Sequence, residues 1–307
     1  PHMFTVVDLD QSEQECVAAI KNCKNLGFCY IKGMGISDRF YEEVVDAMSN
    51  FFALPEDHEA KQKTKQKQNP EKGMQSGYVR KMHTTNYLSE DKNLPIDPAS
   101  HYYIVNHGFD VFPDNQLFDL EKKSVMLFKK MTLIAQHMMM LFGKAFDVES
   151  WVQENFICKE HVSTIKVSKY HVPDIEGCST ENETKMRLIE HKDLGAITLV
   201  YTGEAKGGLQ VLVNGKYVDA PIMKDHLVLN VGLLFESATK GEVKALNHRV
   251  RMPTVEELPK SDRTSILYFV NPKNETLLDP HNPDNTISFG KLASDYVKIT
   301  SVKDTVQ

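Results

Sequence analysis

The sequence lacks the cysteine pattern and the long apolar run that would place it in a disulfide-rich, zinc-binding or membrane class. Its five cysteines are scattered, odd in number and form no C-x-x-C pair, so we expect reduced thiols that pack in the interior. The longest apolar stretch, Met131 to Phe142, is interrupted by Gln136 and His137. It is shorter than the ~20 residues that a membrane span needs, and we predict no membrane partner.

A basic surface and a leader signal are also missing. The formal net charge is −6, which argues against a nucleic-acid partner. One basic run, Lys61 to Lys72, has no interleaved aromatics; we interpret it as a solvated loop or helix end, with an anion or partner contact as the alternative. The residues after Met3 resemble no secretory signal. We expect a cytoplasmic monomer.

Helical patterns dominate the first half of the chain. Ser12 with Glu15 forms a capping-box pattern ahead of a helix that reaches Leu26, and a second helix follows Ser37 as far as Phe52. Residues 66–115 indicate loops with short strands. The longest predicted helix covers residues 115–144, with apolar positions every three or four residues. Those positions are Leu117, Leu120, Met126, Phe128, Met131, Ile134, Met138 and Leu141.

After Ile157 the pattern changes to short β-rich runs separated by turn residues, which is typical of an antiparallel sandwich or barrel. A last helical segment is predicted at about Ser288 to Val297. The predicted strands are His161–Tyr170, Ala196–Tyr201, Leu209–Val213, Tyr217–Ala220, Leu227–Val231, Asn247–Arg251 and Thr264–Val270.

His191, Asp193 and His248 form a candidate metal-binding set. On an extended segment the first two lie on the same side, so their side chains can converge on one ion. His248 follows in a strand-like run. Two histidines and one carboxylate with open positions are the facial triad of non-haem iron(II) oxygenases. Zinc is the competing metal, but no H-E-x-x-H helix accompanies the set.

Arg263 and Ser265 form a candidate carboxylate clamp. They are two residues apart on a predicted strand, so the guanidinium and the hydroxyl lie on one face. Arginine is suited to a bidentate grip on a carboxylate, and serine adds one donor. The pair fits the distal carboxylate of a keto acid whose other end chelates the metal.

The motif order H-x-D, H, R-x-S resembles the isopenicillin N synthase-like branch of the iron(II)/2-oxoglutarate-dependent dioxygenases, which includes 1-aminocyclopropane-1-carboxylate oxidase and plant flavonoid oxidases. The resemblance covers nearly the whole chain. The matching segments are Leu26–Tyr30, Phe51–Glu56, Ser76–Tyr78, Lys166–Tyr170, His191–Leu199, residues 207–211, Leu229–Gly232, Lys244–Val250 and Arg263–Ser265.

The resemblance implies a mixed α/β (α+β) fold with a double-stranded β-helix, or jelly-roll, core. It implies four regions: an N-terminal dioxygenase region at 3–110, a supporting helix at 111–156, the jelly-roll domain at 157–275 and a helical tail at 276–307. The implied cofactors are iron(II) on His191, Asp193 and His248, 2-oxoglutarate on Arg263 and Ser265, and O2, with ascorbate as a reductant.

Further site residues follow from family position. Tyr170 is expected to add a hydrogen bond to the cosubstrate. The expected substrate-pocket residues are Tyr78, Arg80, Tyr103, Lys192, Gln210 and Phe235. Arg80, Lys169 and Lys192 favour an anionic, amino-acid-like small molecule, as in kainoid-type cyclases of specialised metabolism.

The chain departs from the family pattern at several positions, which argues against a standard plant hormone or flavonoid substrate. The departures include Ser168, Lys169, His171 and Leu233. We predict an oxygenase whose C–H activation gives hydroxylation, desaturation or oxidative ring closure. Two alternatives remain: an iron oxidase of the same branch that does not use 2-oxoglutarate, and a catalytically silent binding module.

Overall fold

A computed structural model describes residues 4–81, 99–105, 108–113, 117–173, 186–205 and 208–303. Seven helices lie in these ranges. They are α1 (Glu13–Asn22), α2 (Asp38–Ala53), α3 (Glu59–Lys63), α4 (Leu120–Ala145), α5 (Glu149–Phe156), α6 (Leu233–Ala238) and α7 (Phe289–Lys303). The predicted capping box is confirmed, because the Ser12 hydroxyl accepts from the Glu15 N–H and the Glu15 carboxylate accepts from the Ser12 N–H.

Thirteen strands lie in the described ranges and form two sheets. They are β1 (Val6–Asp8), β2 (Phe28–Lys32), β3 (Lys67–Asn69), β4 (Met74–Lys81), β5 (Ala99–Ile104), β6 (Thr164–Tyr170), β7 (Met186–His191), β8 (Ile197–Tyr201), β9 (Leu209–Val213), β10 (Lys216–Asp219), β11 (Leu227–Val231), β12 (His248–Arg251) and β13 (Arg263–Val270). The large sheet has the order β1-β2-β11-β8-β13-β6-β5-β4-β3, and the small sheet has the order β10-β9-β12-β7.

The two sheets enclose a barrel interior lined partly by apolar side chains. Val200 and Val228 of the large sheet pack in one buried cluster with Leu209 and Val211 of the small sheet. Alternate residues of the large sheet, such as Leu199 and Leu229, belong instead to the main core that the helices cover. This arrangement is the predicted jelly-roll core with flanking helices, and the fold class is confirmed.

Helix α4 is the central support of the large sheet. By length and composition alone, residues 117–145 could cross a membrane, and half of their most apolar window is buried in the fold. Leu127, Met131 and Met138 are fully buried against the sheet side. Met126 was predicted to lie on the apolar face, but 49% of its surface is exposed. Leu127 takes the buried position instead, because the true apolar stripe runs one residue later at this turn.

The N-terminal region shares its sheet with the barrel. β2 pairs antiparallel with β11, and β1 pairs parallel with β2. The predicted N-terminal region (3–110) and the predicted jelly-roll domain (157–275) therefore share one continuous sheet. Of the cysteines, Cys16, Cys23 and Cys29 are buried free thiols, as expected, and Cys178 lies outside the described residues.

Candidate metal and cosubstrate site

Two histidines come from neighbouring strands of the small sheet. His191 ends β7, His248 opens β12, and they are register partners whose ring centroids lie 4.2 Å apart. The Nδ1 atom of each ring lies near the carbonyl oxygen two residues earlier, at 2.8 Å for Ile189 and 3.3 Å for Leu246. Because a carbonyl can only accept, Nδ1 carries the proton, which leaves Nε2 as the metal-binding atom.

Asp193 adds a carboxylate from the loop after β7. Its Oδ1 lies 3.6 Å from Nε2 of His191 and 3.8 Å from Nε2 of His248. Its Oδ2 accepts a 2.6 Å hydrogen bond from the Thr198 hydroxyl on β8. One donor atom from each of the three residues lies within 4.8 Å of the others. The structure thus brings the predicted set together.

The backbone explains how the Asp193 loop is held. The Leu233 N–H donates to the Asp193 carbonyl at 2.8 Å. Gly232 allows this approach, since a Cβ at that position would lie only 2.2 Å from the Gly195 carbonyl oxygen. The glycine after β11 therefore matters because it lets the turn into α6 pack directly on the loop that carries the carboxylate.

The protonation states suit a divalent metal. Burial lowers the pKa of His248 to about 4, and the neighbouring His191 acts in the same direction. Burial works to raise the pKa of Asp193, but His248, His191 and the Thr198 hydroxyl hold it well below its ordinary value. A neutral His248 and an ionised Asp193 offer lone pairs without competing protons, as metal binding requires. The donor set fits iron(II) with open positions.

The predicted clamp lies at the other end of the barrel. Arg263 is 4% exposed and donates to the Ser265 hydroxyl at 3.3 Å. It is the register partner of Tyr170, and its guanidinium lies 5.6 Å from the centre of that ring. Burial lowers the pKa of Arg263 to about 10, and the nearby Arg187 adds to this effect.

Within the described ranges, no carboxylate forms a salt bridge with Arg263. A buried cation in this state is suited to an incoming carboxylate, which would supply the missing opposite charge. A cavity of about 130 Å³ lies beside Arg263 and is bordered by Thr202, Leu209 and Arg251. The residues of this end therefore fit the distal carboxylate of 2-oxoglutarate.

Tyr78, Arg80 and Phe235 do not lie on the face that carries the clamp. Strand registers place Arg80 in the row of Ser100, Lys169 and Thr264, which points away from the barrel interior. The Tyr78 hydroxyl and Arg80 both contact the Glu56 carboxylate, at 2.9 Å and 3.3 Å. Phe235 is fully buried in the helix-side core. The structure thus gives all three other surroundings than a substrate pocket.

Gln210, Lys192 and Tyr103 have different positions. Gln210 lies on the outer face of the small sheet, where its amide donates to Asp219 at 2.9 Å. Lys192 lies beside the histidine and aspartate, and its ammonium contacts Glu236 at 3.4 Å. Tyr103 is on the barrel face, as the register of β5 with β6 requires. Of the six predicted pocket residues, Tyr103 lies on the barrel face, and Lys192 lies between His191 and Asp193 in the chain.

Five residues near the site were given no role from the sequence, although Lys166, Thr198 and Asn230 lie in segments that match the family pattern. Thr198 holds Asp193, and Arg187 is a fully buried cation beside Tyr170. The others are His101, Lys166 and Asn230, whose registers place them on the barrel face. Such residues become visible only when strand pairing shows which face is inside.

A jelly-roll barrel with two histidines and an aspartate at one end and a buried arginine at the other defines a non-haem metal oxygenase. Residues 163–272 match the family model described as 2OG-Fe(II) oxygenase superfamily. Residues 4–115 match the family model described as "non-haem dioxygenase in morphine synthesis N-terminal". The chain belongs to the iron(II)/2-oxoglutarate-dependent oxygenases of the isopenicillin N synthase-like class. The predicted enzyme class and cofactors are confirmed.

Individual relatives agree with this assignment. The chain is 24% identical over 284 residues to the 2-oxoglutarate-Fe(II) type oxidoreductase ppzD of Metarhizium rileyi, covering 86% of this chain and 77% of that protein. It is 37% identical over 93 residues to 1-aminocyclopropane-1-carboxylate oxidase 1 of Oryza sativa subsp. japonica, covering 30% and 27%. The fold matches a full-length Neurospora crassa protein crystallised in complex with alpha-KG and thymine, with a TM-score of 0.77, 21% identity and 97% coverage of both chains.

Proposed function

We propose that this oxygenase oxidises a C–H bond of a small anionic molecule, with iron(II) on His191, Asp193 and His248. The convergence of those three side chains within 4.8 Å carries the proposal. When bound, iron and 2-oxoglutarate supply the oxidising chemistry, and the protein supplies binding, orientation and exclusion of water. Thr198 keeps Asp193 oriented, since an ordered partner on the second oxygen fixes the carboxylate plane.

Arg263, Ser265 and Tyr170 are proposed to hold the distal carboxylate of 2-oxoglutarate. The pairing of β13 with β6 and β8 places them on the barrel face, the same face as Thr198, which donates to Asp193. The depressed pKa of Arg263 reports a desolvated cation that gains an opposite charge when the cosubstrate binds. Arg263 lies at the opposite end of the strands from the metal-binding residues. The separation between them sets the length of the keto acid that can contact both Arg263 and the metal.

The anionic substrate class is supported by a cation on the barrel face. Lys166 lies in the register row of Tyr103 and Leu267, and its ammonium is 5.9 Å from the centre of the Tyr103 ring. A lysine beside an aromatic ring on this face suits a carboxylate attached to a partly apolar body. The amino-acid-like substrate of specialised metabolism is therefore retained as a proposal, with Lys166 and Tyr103 replacing Arg80 and Lys169.

A second candidate is an iron oxidase of the same branch that works without 2-oxoglutarate. The local similarity to a 1-aminocyclopropane-1-carboxylate oxidase supports it. The two functions differ in stoichiometry, because the first couples substrate loss to succinate formation. Substrate loss without succinate, in an anaerobically loaded sample exposed to O2, would select the second.

The deciding experiment measures O2 consumption and succinate release with a panel of amino-acid and alkaloid-like acids. His191→Ala and Asp193→Ala should remain folded by circular dichroism and lose O2 consumption, because each removes a metal ligand. His226→Ala, a histidine outside the cluster, is the matched control and should retain it. Undiminished turnover in both ligand variants would contradict the metal assignment.

Arg263→Ala separates cosubstrate binding from metal binding. It should raise the 2-oxoglutarate concentration needed for half-maximal rate by roughly 10-fold to 100-fold, since a charge-assisted pair contributes about 1.5–3 kcal/mol. Metal affinity should be unchanged. An unaltered requirement would mean that the cosubstrate carboxylate binds elsewhere.

A further inference from the structure

Asn230 is a buried polar residue in the barrel that the metal and cosubstrate assignments leave without a role. It is the fourth residue of β11 and is 1% exposed. Its Oδ1 has no hydrogen-bond partner among the described residues. Burying an unsatisfied carbonyl costs free energy, whereas an apolar residue of the same shape costs none. Such an atom is expected where a ligand supplies the donor.

The register places Asn230 beside Thr198, which contacts a metal ligand. It pairs with Thr198 on β8, and paired residues of neighbouring strands point to the same side. Thr198 is the residue that donates to Asp193 at 2.6 Å. On the other edge, the Leu246 N–H donates to the Val231 carbonyl at 3.0 Å, which brings the segment ahead of His248 against the end of β11.

The neighbouring barrel-face residue on β11 itself is apolar. Val228, two residues earlier on the same face, packs in the barrel cluster with Val200 and Leu246. An amide in this position therefore has no alternative partner on its own strand face. The neighbouring Asp193 carboxylate can only accept when ionised, so it cannot satisfy the Asn230 carbonyl.

We propose that Asn230 is a positioning residue of the iron site, whose Oδ1 accepts a hydrogen bond from an O–H donor that arrives with the metal, a water held at one of its open positions. Three protein ligands leave positions on iron that water occupies when no other ligand is present. The inference rests on the proposed function, because it requires the His191, Asp193 and His248 set to hold the metal. It adds a fourth residue, Asn230, which orients the water bound to the metal.

The test titrates the purified protein with Mn(II) alone, and with Fe(II) alone under anaerobic conditions, without 2-oxoglutarate or substrate. Asn230→Leu keeps the size of the side chain and removes the acceptor. Asn230→Asp keeps both shape and acceptor. Asn274→Leu is the matched control, because the Asn274 Oδ1 is also buried without a partner among the described residues, but this residue packs against Gly290 outside the barrel.

Asn230→Leu should weaken metal binding by about 10-fold to 100-fold, the usual effect of removing a group that supports a metal's ligands. Its metal-free form should unfold at the same temperature as the parent or a higher one. Asn230→Asp should bind the metal at least as tightly as the parent, and Asn274→Leu should not change the affinity. The Mn(II) electron paramagnetic resonance spectrum should change in Asn230→Leu and remain the same in Asn274→Leu.

Equal metal affinity in Asn230→Leu and the parent would overturn the inference. So would an equal loss in Asn230→Leu and Asn230→Asp, which would show that packing rather than hydrogen bonding matters. If Asn230→Leu fails to fold, Asn230→Ser gives the same comparison, because its short side chain cannot place an acceptor at the Oδ1 position. A parent protein that binds neither metal would refute the proposed function instead, so the two failures are distinguishable.

Discussion

Replacing the buried Arg263 by methionine should stabilise the cosubstrate-free protein. The pKa of this guanidinium lies at about 10 against an ordinary 12.5. The cation is therefore less favourable in the folded chain than in the unfolded one at every pH below about 10. Since one pKa unit corresponds to about 1.4 kcal/mol, the buried charge costs about 3 kcal/mol at pH 7.

Arg263→Met removes that cost and also loses the 3.3 Å hydrogen bond to Ser265, which contributes about 1 kcal/mol. The expected net change is a gain on the order of 2 kcal/mol in the free energy of unfolding, measured by urea denaturation without 2-oxoglutarate. In the parent, 2-oxoglutarate with Mn(II) should add stability according to its concentration relative to Kd. The variant should lose most of this addition.

Arg251→Met is the matched control. This arginine is paired with Glu257 at 2.6 Å and with Asp219 at 3.1 Å, and its pKa is raised by these partners. Its replacement should therefore destabilise the protein, the opposite direction from Arg263→Met. A destabilised Arg263→Met protein that still gains full stability from 2-oxoglutarate would refute the reasoning, because Arg263 would then act as a structural cation.

Three further substitutions test the supports of the site. Thr198→Val should weaken Mn(II) binding by about 10-fold or more, because Asp193 loses its oriented partner; equal affinity in a titration would contradict this. Gly232→Ala should abolish metal binding, since a Cβ would lie 2.2 Å from the Gly195 carbonyl oxygen; a protein with parental affinity would show that the loop adapts. Arg187→Met should lower the free energy of unfolding by about 2–5 kcal/mol, since a buried backbone carbonyl of Ser261 and a partly buried one of His171 lose their donor; an unchanged urea midpoint would refute the role of those bonds.

Local sequence patterns predicted the chemistry of the site well. The spacing of His191 and Asp193 and that of Arg263 and Ser265 each fix two side chains on one side of a short segment, which needs no knowledge of distant contacts. The approach of His248 was predicted from motif order. The structure brings these residues to the ends of one barrel.

The face of the sheet on which a residue lies was harder to predict than the residues that form the metal site. Arg80 and Gln210 lie in strands in which apolar and polar residues do not alternate regularly. The sequence pattern therefore does not show which face of the strand points into the barrel. A shift of one residue reverses the face, and here it directs both side chains away from the barrel. The short helices α3, α5 and α6 were also missed, because five to eight residues carry too little periodicity.

Two polar residues within apolar strands were given no role from the sequence, for a related reason. Thr198 and Asn230 each stand alone among branched aliphatic neighbours, and either could equally point to a helix-side core. Only the pairing of β8 with β11 shows that both point inward. Cytoplasmic location, the monomeric state and the lack of membrane or nucleic-acid partners stay predictions.

The metal cluster contacts both sheets. The histidines lie on β7 and β12 of the small sheet, whereas Asp193, in the loop after β7, is bound to the large sheet through Thr198 of β8 and to the start of α6 through Leu233. An ion held there would cross-link the small and the large sheet at one end of the barrel. Loss of the metal and separation of the two sheets would then be coupled. Amide hydrogens of β7 and β12 should then exchange with solvent faster after chelation, while those of β8 and β13 keep their protection.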